Sequence, residues 1–197
     1  GAYDQDPGVQ GMLAWQGGDE TAFDRLVEEY SPKVYSLLTR FLGPHPKRED
    51  MVQEVFLRVV RARERYEPTA RFSTWIYRIV FNLAVNETQR GRKHQSLDGD
   101  DDPDSGRARG LEPIDEREAL PSESLEREDV VSIVRAAIAA LPENQRMALV
   151  LAKYHDMPYT EIAEGMESTE KAIKSMVHRG RERLRESLSH LMTEEML

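Results

Sequence analysis

Residues 158–188 have the sequence PYTEIAEGMESTEKAIKSMVHRGRERLRESL, and this stretch decides the fold class. Its pattern predicts a short helix from Pro158 to Met166, a tight three-residue turn, and a long helix from about Thr169 to Met192. A short helix, a turn and a long basic helix are typical of a helix-turn-helix, whose second helix enters the major groove of duplex DNA.

The long helix carries two stripes of opposite character. The apolar stripe, expected to face inward, comprises Ile173, Val177, Gly180, Leu184, Leu188 and Leu191. The polar stripe, expected to face outward, comprises Lys171, Lys174, His178, Arg181 and Arg185. A basic stripe beside a turn favours DNA contact, although an ordinary amphipathic surface helix has the same periodicity. Glu167 departs from the helix-turn-helix pattern, because the turn often holds glycine.

Charge is distributed unevenly along the 197 residues, whose formal net charge is −9. Residues 58–94 carry a net charge of +6 and residues 171–185 carry +5, whereas residues 95–130 carry −9. Basic islands are what contact with phosphates requires, but two solvated helix faces would have the same charge pattern.

The fold class predicted from the remaining sequence is all-α, because apolar residues recur at spacings of three and four almost throughout. Helices are expected over 19–30, from Ser31-Pro32 to Leu42, over 48–65 and over 73–90, and again from Leu125. Two small helical domains are therefore predicted, at 10–94 and 128–191, joined by a flexible acidic linker at 95–127.

Several classes of function are disfavoured by what the sequence lacks. There is no cysteine, and the five histidines have no metal-ligand spacing. No glycine-rich phosphate loop or serine elbow is present, so neither catalysis nor a metal or cofactor is expected. No apolar run approaches the roughly 20 residues that span a bilayer, and no membrane contact is expected, so we expect a cytoplasmic protein.

Four motifs resemble segments of the bacterial extracytoplasmic function (ECF) sigma factors, group 4 of the primary sigma factor superfamily. They are DMVQEVFLRV at 50–59, YEP at 66–68 with RFSTWIYRI at 71–79, LPENQR at 141–146, and YTEIA at 159–163. They occur in the family's order, over about residues 10–190, with a linker in the corresponding place.

The resemblance implies that the first motif grips the coiled coil of the largest subunit of core RNA polymerase. We name its polar residues the polymerase face: Asp50, Gln53, Glu54 and Arg58. Exposed carboxylates and an amide suit a basic partner helix, although a solvated helix surface would have the same composition.

The second motif resembles the promoter-melting segment, which in the family opens the downstream promoter element and captures a flipped base. Trp75, Arg78, Asn82 and Asn86 share one helix face, and amides and aromatic rings suit unstacked bases. The full set of candidates is Phe72, Trp75, Tyr77, Arg78, Asn82, Asn86, Arg90, Arg92 and Lys93. Some of the aromatic residues, including Trp75, could instead belong to the core.

The long helix resembles the part of the family that recognises the upstream promoter element. The candidate residues are Lys171, Lys174, Ser175, His178, Arg179 and Arg181. Met176 stands where many relatives carry a basic residue, and it could touch a thymine methyl group or simply pack.

The expected partners are core RNA polymerase, promoter DNA in duplex and single-stranded form, and an anti-sigma factor. The acidic linker could repel DNA, occupy a basic channel of the polymerase, or act only as a tether. Two other classes remain open: a free-standing helix-turn-helix regulator with a partner-binding N-terminal bundle, and a helical adaptor that binds only protein.

Overall fold

A computed structural model describes the backbone of residues 2–97 and 121–189, and the side chains of residues 2–91 and 130–189. These residues form helices without any strand. The helices are α1 (Pro7–Gln16), α2 (Glu20–Leu42), α3 (Arg48–Ala62), α4 (Phe72–Leu97), α5 (Pro121–Ala139), α6 (Glu143–Tyr154), α7 (Tyr159–Gly165) and α8 (Glu170–Ser187), with a 3₁₀ turn at Arg63–Arg65. Over the described ranges, each helix is too short or too polar to cross a lipid bilayer.

Helix α1 adds to the bundle of α2, α3 and α4 that the periodicity predicts. The Asp6 carboxylate accepts a hydrogen bond from Val9 N at 3.0 Å and another from Phe72 N at 3.3 Å. One side chain therefore caps the start of α1 and binds the start of α4. The helices also approach closely at Gly8, where an added Cβ would lie 2.7 Å from Phe72 Cβ.

Helix α2 is continuous through Pro32, so the prediction that a new helix starts at Ser31-Pro32 was wrong. Proline removes one backbone hydrogen bond, but here it lies on the exposed side of the helix. Leu26, Tyr30 and Val34 form one uninterrupted buried stripe across that point. Burial of such a side chain contributes about 1.5–3 kcal/mol, which offsets the lost hydrogen bond.

The second half of the chain is built around α6 and α8. Ile162, Ile173 and Val177 are buried between α7 and α8, and Ala163 is buried beside them, as the helix-turn-helix prediction required. Gly180 lies at the contact between α8 and α6, where a Cβ would be 3.7 Å from the carbonyl oxygen of Gln145, an ordinary packing distance.

Helix α5 differs from the sequence prediction. The apolar spacing predicts one inward face with Val130, Val131, Val134, Ile138 and Leu141. Ile138 and Leu141 are buried, but Val130 and Val131 are each 44% exposed. Helix α4 continues to Leu97 and α5 begins at Pro121, so helices take up both ends of the stretch predicted as linker. The rest of the predicted linker, residues 98–120, lies outside the described residues.

The two halves of the chain meet at the buried guanidinium of Arg146. It donates hydrogen bonds to the backbone oxygen of Phe41 at 2.8 Å, of Leu141 at 2.9 Å, and of Ala139. Phe41 lies in the last turn of α2 and Ala139 ends α5, where unpaired carbonyl groups favour a cation. This arginine therefore joins the two halves through helix ends.

Candidate nucleic-acid interface

The basic face of α8 has the orientation that the sequence predicts. The Thr169 hydroxyl caps the helix by accepting from Ala172 N at 3.2 Å. The exposed members of the candidate set are Lys171, Lys174, His178, Arg179 and Arg181. Lys174 pairs with Glu170 at 2.5 Å and Arg185 pairs with Glu182 at 2.8 Å, and both cations keep further N–H donors exposed to solvent.

Two further residues of α8 are less accessible than the basic face. Ser175 is half-buried, and Met176 packs against the apolar core. The packing role of Met176 is therefore the better supported of its two interpretations.

The exposed polar face of α4 is the second candidate surface. Asn82, Asn86 and Arg90 are exposed, and Arg78 is half-buried. Trp75 is half-buried too, and its ring lies 5.0 Å from that of Tyr66 and 5.6 Å from that of Phe72. Trp75 thus combines core packing with a partly accessible surface. The side chains of Arg92 and Lys93 lie outside the described residues.

Phe72 is a core residue, which is the alternative that the sequence leaves open for the aromatic residues of this motif. Its side chain is 0% exposed, and its ring meets that of Tyr30 edge-on at 4.8 Å. The apolar spacing from Phe72 to the buried Ile76, one turn later, was the signal that could have indicated this.

Tyr77 is also buried, at 5% exposure, but part of the surface that buries it belongs to the second half of the chain. Its hydroxyl lies 3.2 Å from Nδ1 of His155, and the two rings meet edge-on at 5.2 Å. Tyr77 is therefore inaccessible to bases while the two halves are in contact.

Ion pairs also join α4 to the helix-turn-helix. Arg71 Nε lies 3.1 Å from Glu161 Oε1, and Arg78 Nη1 lies 3.6 Å from Glu167 Oε1. Sequence reasoning missed both pairs, because residues so far apart in the chain show no spacing pattern.

The polymerase face on α3 is partly solvated and partly paired. Asp50 and Gln53 are exposed. Glu54 accepts a hydrogen bond from Arg58 at 2.9 Å and lies 3.5 Å from Arg61. The hydrogen bond from Arg58 lowers the pKa of Glu54, so this carboxylate is charged at neutral pH.

Two apolar side chains lie on the exposed side of α3. Leu57 is 49% exposed and Val60 is 42% exposed. The apolar spacing of α3 predicts that Val60 shares one inward face with Val55 and Val59, and for Val60 this prediction was wrong. Its neighbour Val59 is fully buried, as the spacing predicts. Single exposed apolar side chains are common on protein surfaces, so these two do not by themselves mark a binding surface.

Acidification is expected to weaken the contact around His155. Burial lowers the pKa of His155 below 6.5, its ordinary value; the cations Arg40 and Lys33 add to this, and Asp156 opposes it. The neutral ring is therefore favoured in the folded chain. Its contribution to the free energy of unfolding is complete above pH 6.5 and is lost as the pH falls through the pKa of the folded state.

Between about pH 7.5 and about pH 5.5, the free energy of unfolding is expected to fall in both proteins. The fall should be larger in the wild type than in His155→Gln, by up to about 1 kcal/mol. Urea unfolding at both pH values measures the difference. Equal losses in the two proteins would contradict the assignment.

No group of histidine, aspartate or glutamate side chains that could hold a metal ion occurs among the described residues.

Comparison with known proteins connects both surfaces with one family. Residues 26–94 match sigma-70 region 2, and residues 132–184 match sigma-70 region 4. The RNA polymerase sigma-H factor of Pseudomonas aeruginosa is 32% identical over 180 residues, covering 91% of this chain and 92% of the relative. The ECF RNA polymerase sigma-E factor of Escherichia coli is 36% identical over 172 residues, covering 85% of this chain and 86% of the relative.

Solved structures share the fold at lower identity. CnrH, in complex with the cytosolic domain of CnrY, matches with a TM-score of 0.68 at 19% identity and covers 94% of this chain and 99% of that one. The sigma factor RpoE of Bartonella quintana, in complex with the anti-sigma factor NepR, matches with a TM-score of 0.65 at 23% identity and covers 85% of this chain and 96% of that one.

Proposed function

The chain belongs to the extracytoplasmic function sigma factors and directs transcription initiation by RNA polymerase, and we propose how its surfaces divide that task. The observation that carries the proposal is the separation of the polar surfaces onto different helices. The polymerase face is on α3, the amides and arginines are on α4, and the basic face is on α8.

The exposed part of the polymerase face is the proposed docking site for core polymerase. Asp50 and Gln53 offer acceptors to a basic helix, and Leu57 adds an apolar contact at the centre. Apolar residues within a charged rim are common in protein interfaces, where charge complementarity fixes the register.

The polar face of α4 is the proposed site of promoter opening. Asn82 and Asn86 can donate to and accept from the edges of unstacked bases, and Trp75 offers part of its ring for stacking. Arg78, Arg90, Arg92 and Lys93 would follow the backbone. Unstacking costs a few kcal/mol per base, and stacking on aromatic rings returns about 1–3 kcal/mol, so opening is close to balanced.

The basic face of α8 is the proposed reader of the upstream element in duplex form. Its N-terminal residues Lys171, Lys174 and Ser175 are closest to the turn, where a recognition helix meets base edges. His178, Arg179 and Arg181 extend the surface along the helix.

Further parts of the proposal rest on family membership. We propose that the protein works in the cytoplasm, that it catalyses no reaction of its own, and that an anti-sigma factor controls it. The solved relative bound to an anti-sigma factor supports this last point by its likeness in fold.

The docking site is tested by replacing Asp50 and Glu54 together with lysine. Because like charges would then face the basic partner helix, binding to bacterial core RNA polymerase is expected to weaken at least about tenfold, as measured by co-elution on a sizing column. The matched control is Asp24→Lys with Glu28→Lys, an exposed pair one turn apart on α2, which should co-elute like the wild type.

Two outcomes would contradict the proposal. Co-elution of the Asp50→Lys, Glu54→Lys variant at wild-type strength would place the docking site elsewhere. Failure of the wild type to co-elute, together with a shift on duplex DNA alone, would favour a free-standing regulator.

A further inference from the structure

Two carboxylates of the C-terminal half bind the arginines that flank the promoter-melting face of α4. Arg71, just before α4, contacts Glu161 at 3.1 Å, and Arg78, two turns later, contacts Glu167 at 3.6 Å. The pairs bracket Thr74, which is buried and lies under the end of α7: a Cβ at Gly165 would be 3.5 Å from the Thr74 backbone oxygen. The first helix of the helix-turn-helix thus covers the beginning of α4.

The covered and uncovered parts of α4 differ in their chemistry. Tyr77 and Thr74 are buried under the C-terminal half, whereas Asn82 and Asn86, further along, remain exposed. The contact therefore covers the side of α4 that carries Thr74 and Tyr77 and leaves the amides accessible.

Glu167 has an unusual backbone conformation for its residue type. Its φ is 51°, in the left-handed region that favours glycine, and it ends α7 where Ser168 N donates to Ala163 O at 2.8 Å. Glycine would fit this position with less strain. Glycine, however, could not form the ion pair with Arg78.

Carboxylates and DNA phosphates are both anionic acceptors, and a guanidinium binds either one through charge-assisted hydrogen bonds. We propose that Glu161 and Glu167 form an intramolecular latch, occupying on Arg71 and Arg78 the positions that DNA phosphates take when the promoter opens. This inference rests on the proposed role of α4, and it adds Arg71 to the groups that contact DNA. The latch must release before the single strand can be captured.

The latch is weak enough to be reversible. Three of its four side chains are 42–77% exposed, and Glu161 is 18% exposed. Exposed ion pairs of this kind shift an equilibrium by about fivefold at most each. Binding to polymerase or DNA can therefore open it.

The experiment uses the full chain with Glu161→Gln and Glu167→Gln combined. Binding to a short fluorescein-labelled single strand of mixed sequence, followed by anisotropy at low salt, is expected to tighten about two- to tenfold. The matched control is Glu164→Gln with Glu186→Gln, which removes the same charge from two exposed positions of α7 and α8 and should tighten binding less than twofold.

A second readout needs no DNA. Because the chain has no cysteine, dyes can be attached at Glu49→Cys on α3 and Ser187→Cys on α8, both exposed. Both dyes are placed in Arg146→Lys, which weakens the other link between the two halves. In that background, energy transfer between them should fall in Glu161→Arg and recover when Arg71→Glu restores the opposite charges.

Each result has a definite meaning. Equal binding by the latch variant and its control, or energy transfer unchanged in Glu161→Arg, would overturn the latch. The energy-transfer readout is independent of polymerase, and co-elution with core polymerase tests the proposed function separately, so failure of one is distinguishable from failure of the other.

Discussion

Replacing Arg146 with alanine is expected to lower the free energy of unfolding by about 3–5 kcal/mol. The guanidinium is buried, with the residue 4% exposed, and it donates to three backbone oxygens from α2, α5 and the segment before α6. Hydrogen bonds from a charged donor contribute about 1.5–3 kcal/mol, and removing the donor leaves buried acceptors without it. Urea unfolding measures the loss.

The control for this prediction is Arg183→Ala, which removes an exposed arginine from α8 and should change stability by less than about 0.5 kcal/mol. Arg146→Lys should be intermediate, because a single ammonium lacks the planar fork that reaches several carbonyl groups. A wild-type unfolding midpoint for Arg146→Ala would mean that the two halves are joined by other contacts.

The second large effect is expected from reversing charge on the basic face of α8. Lys171→Glu with Arg179→Glu should reduce formation of promoter complexes by at least about 100-fold. Each lost contact to a base edge costs about 1–3 kcal/mol, and each lost contact to a phosphate lowers the slope of the salt dependence by about one. Filter binding with polymerase holoenzyme at several salt concentrations measures affinity and slope together.

Binding to core polymerase should be unchanged in that variant, since the docking face is on α3. The control is Arg183→Glu with Arg65→Glu, two exposed arginines outside the proposed DNA and polymerase faces, which matches the change in net charge. If the control lost as much affinity as the variant, the effect would come from overall charge and not from a recognition helix.

Periodicity predicted the helices and their inward faces well where one buried stripe decides the structure. The apolar stripe of α8 is an example: Ile173, Val177 and Gly180 are buried, and the basic stripe opposite is exposed. Further along the stripe, Leu184 and Leu188 are only half-buried, and Leu191 lies outside the described residues. The same local signal failed at Pro32, because burial of residues on both sides outweighs the local preference for a break.

Contacts between distant segments could not be predicted from spacing. Asp6 joining the starts of α1 and α4, Arg146 joining α2 to α5, and Glu161 facing Arg71 each depend on how the helices pack. The same limit explains Phe72, an aromatic residue in a promoter-melting motif whose environment in the folded chain is the core.

The most direct test of the account is to sequence the duplex DNA retained from a random library by the protein alone and by the protein with bacterial core RNA polymerase. If polymerase holds the two DNA-binding surfaces in register, the retained DNA will contain two short sequence motifs at a fixed separation. These motifs should be found only when polymerase is present. A single motif, recovered equally well by the protein alone, would contradict the account.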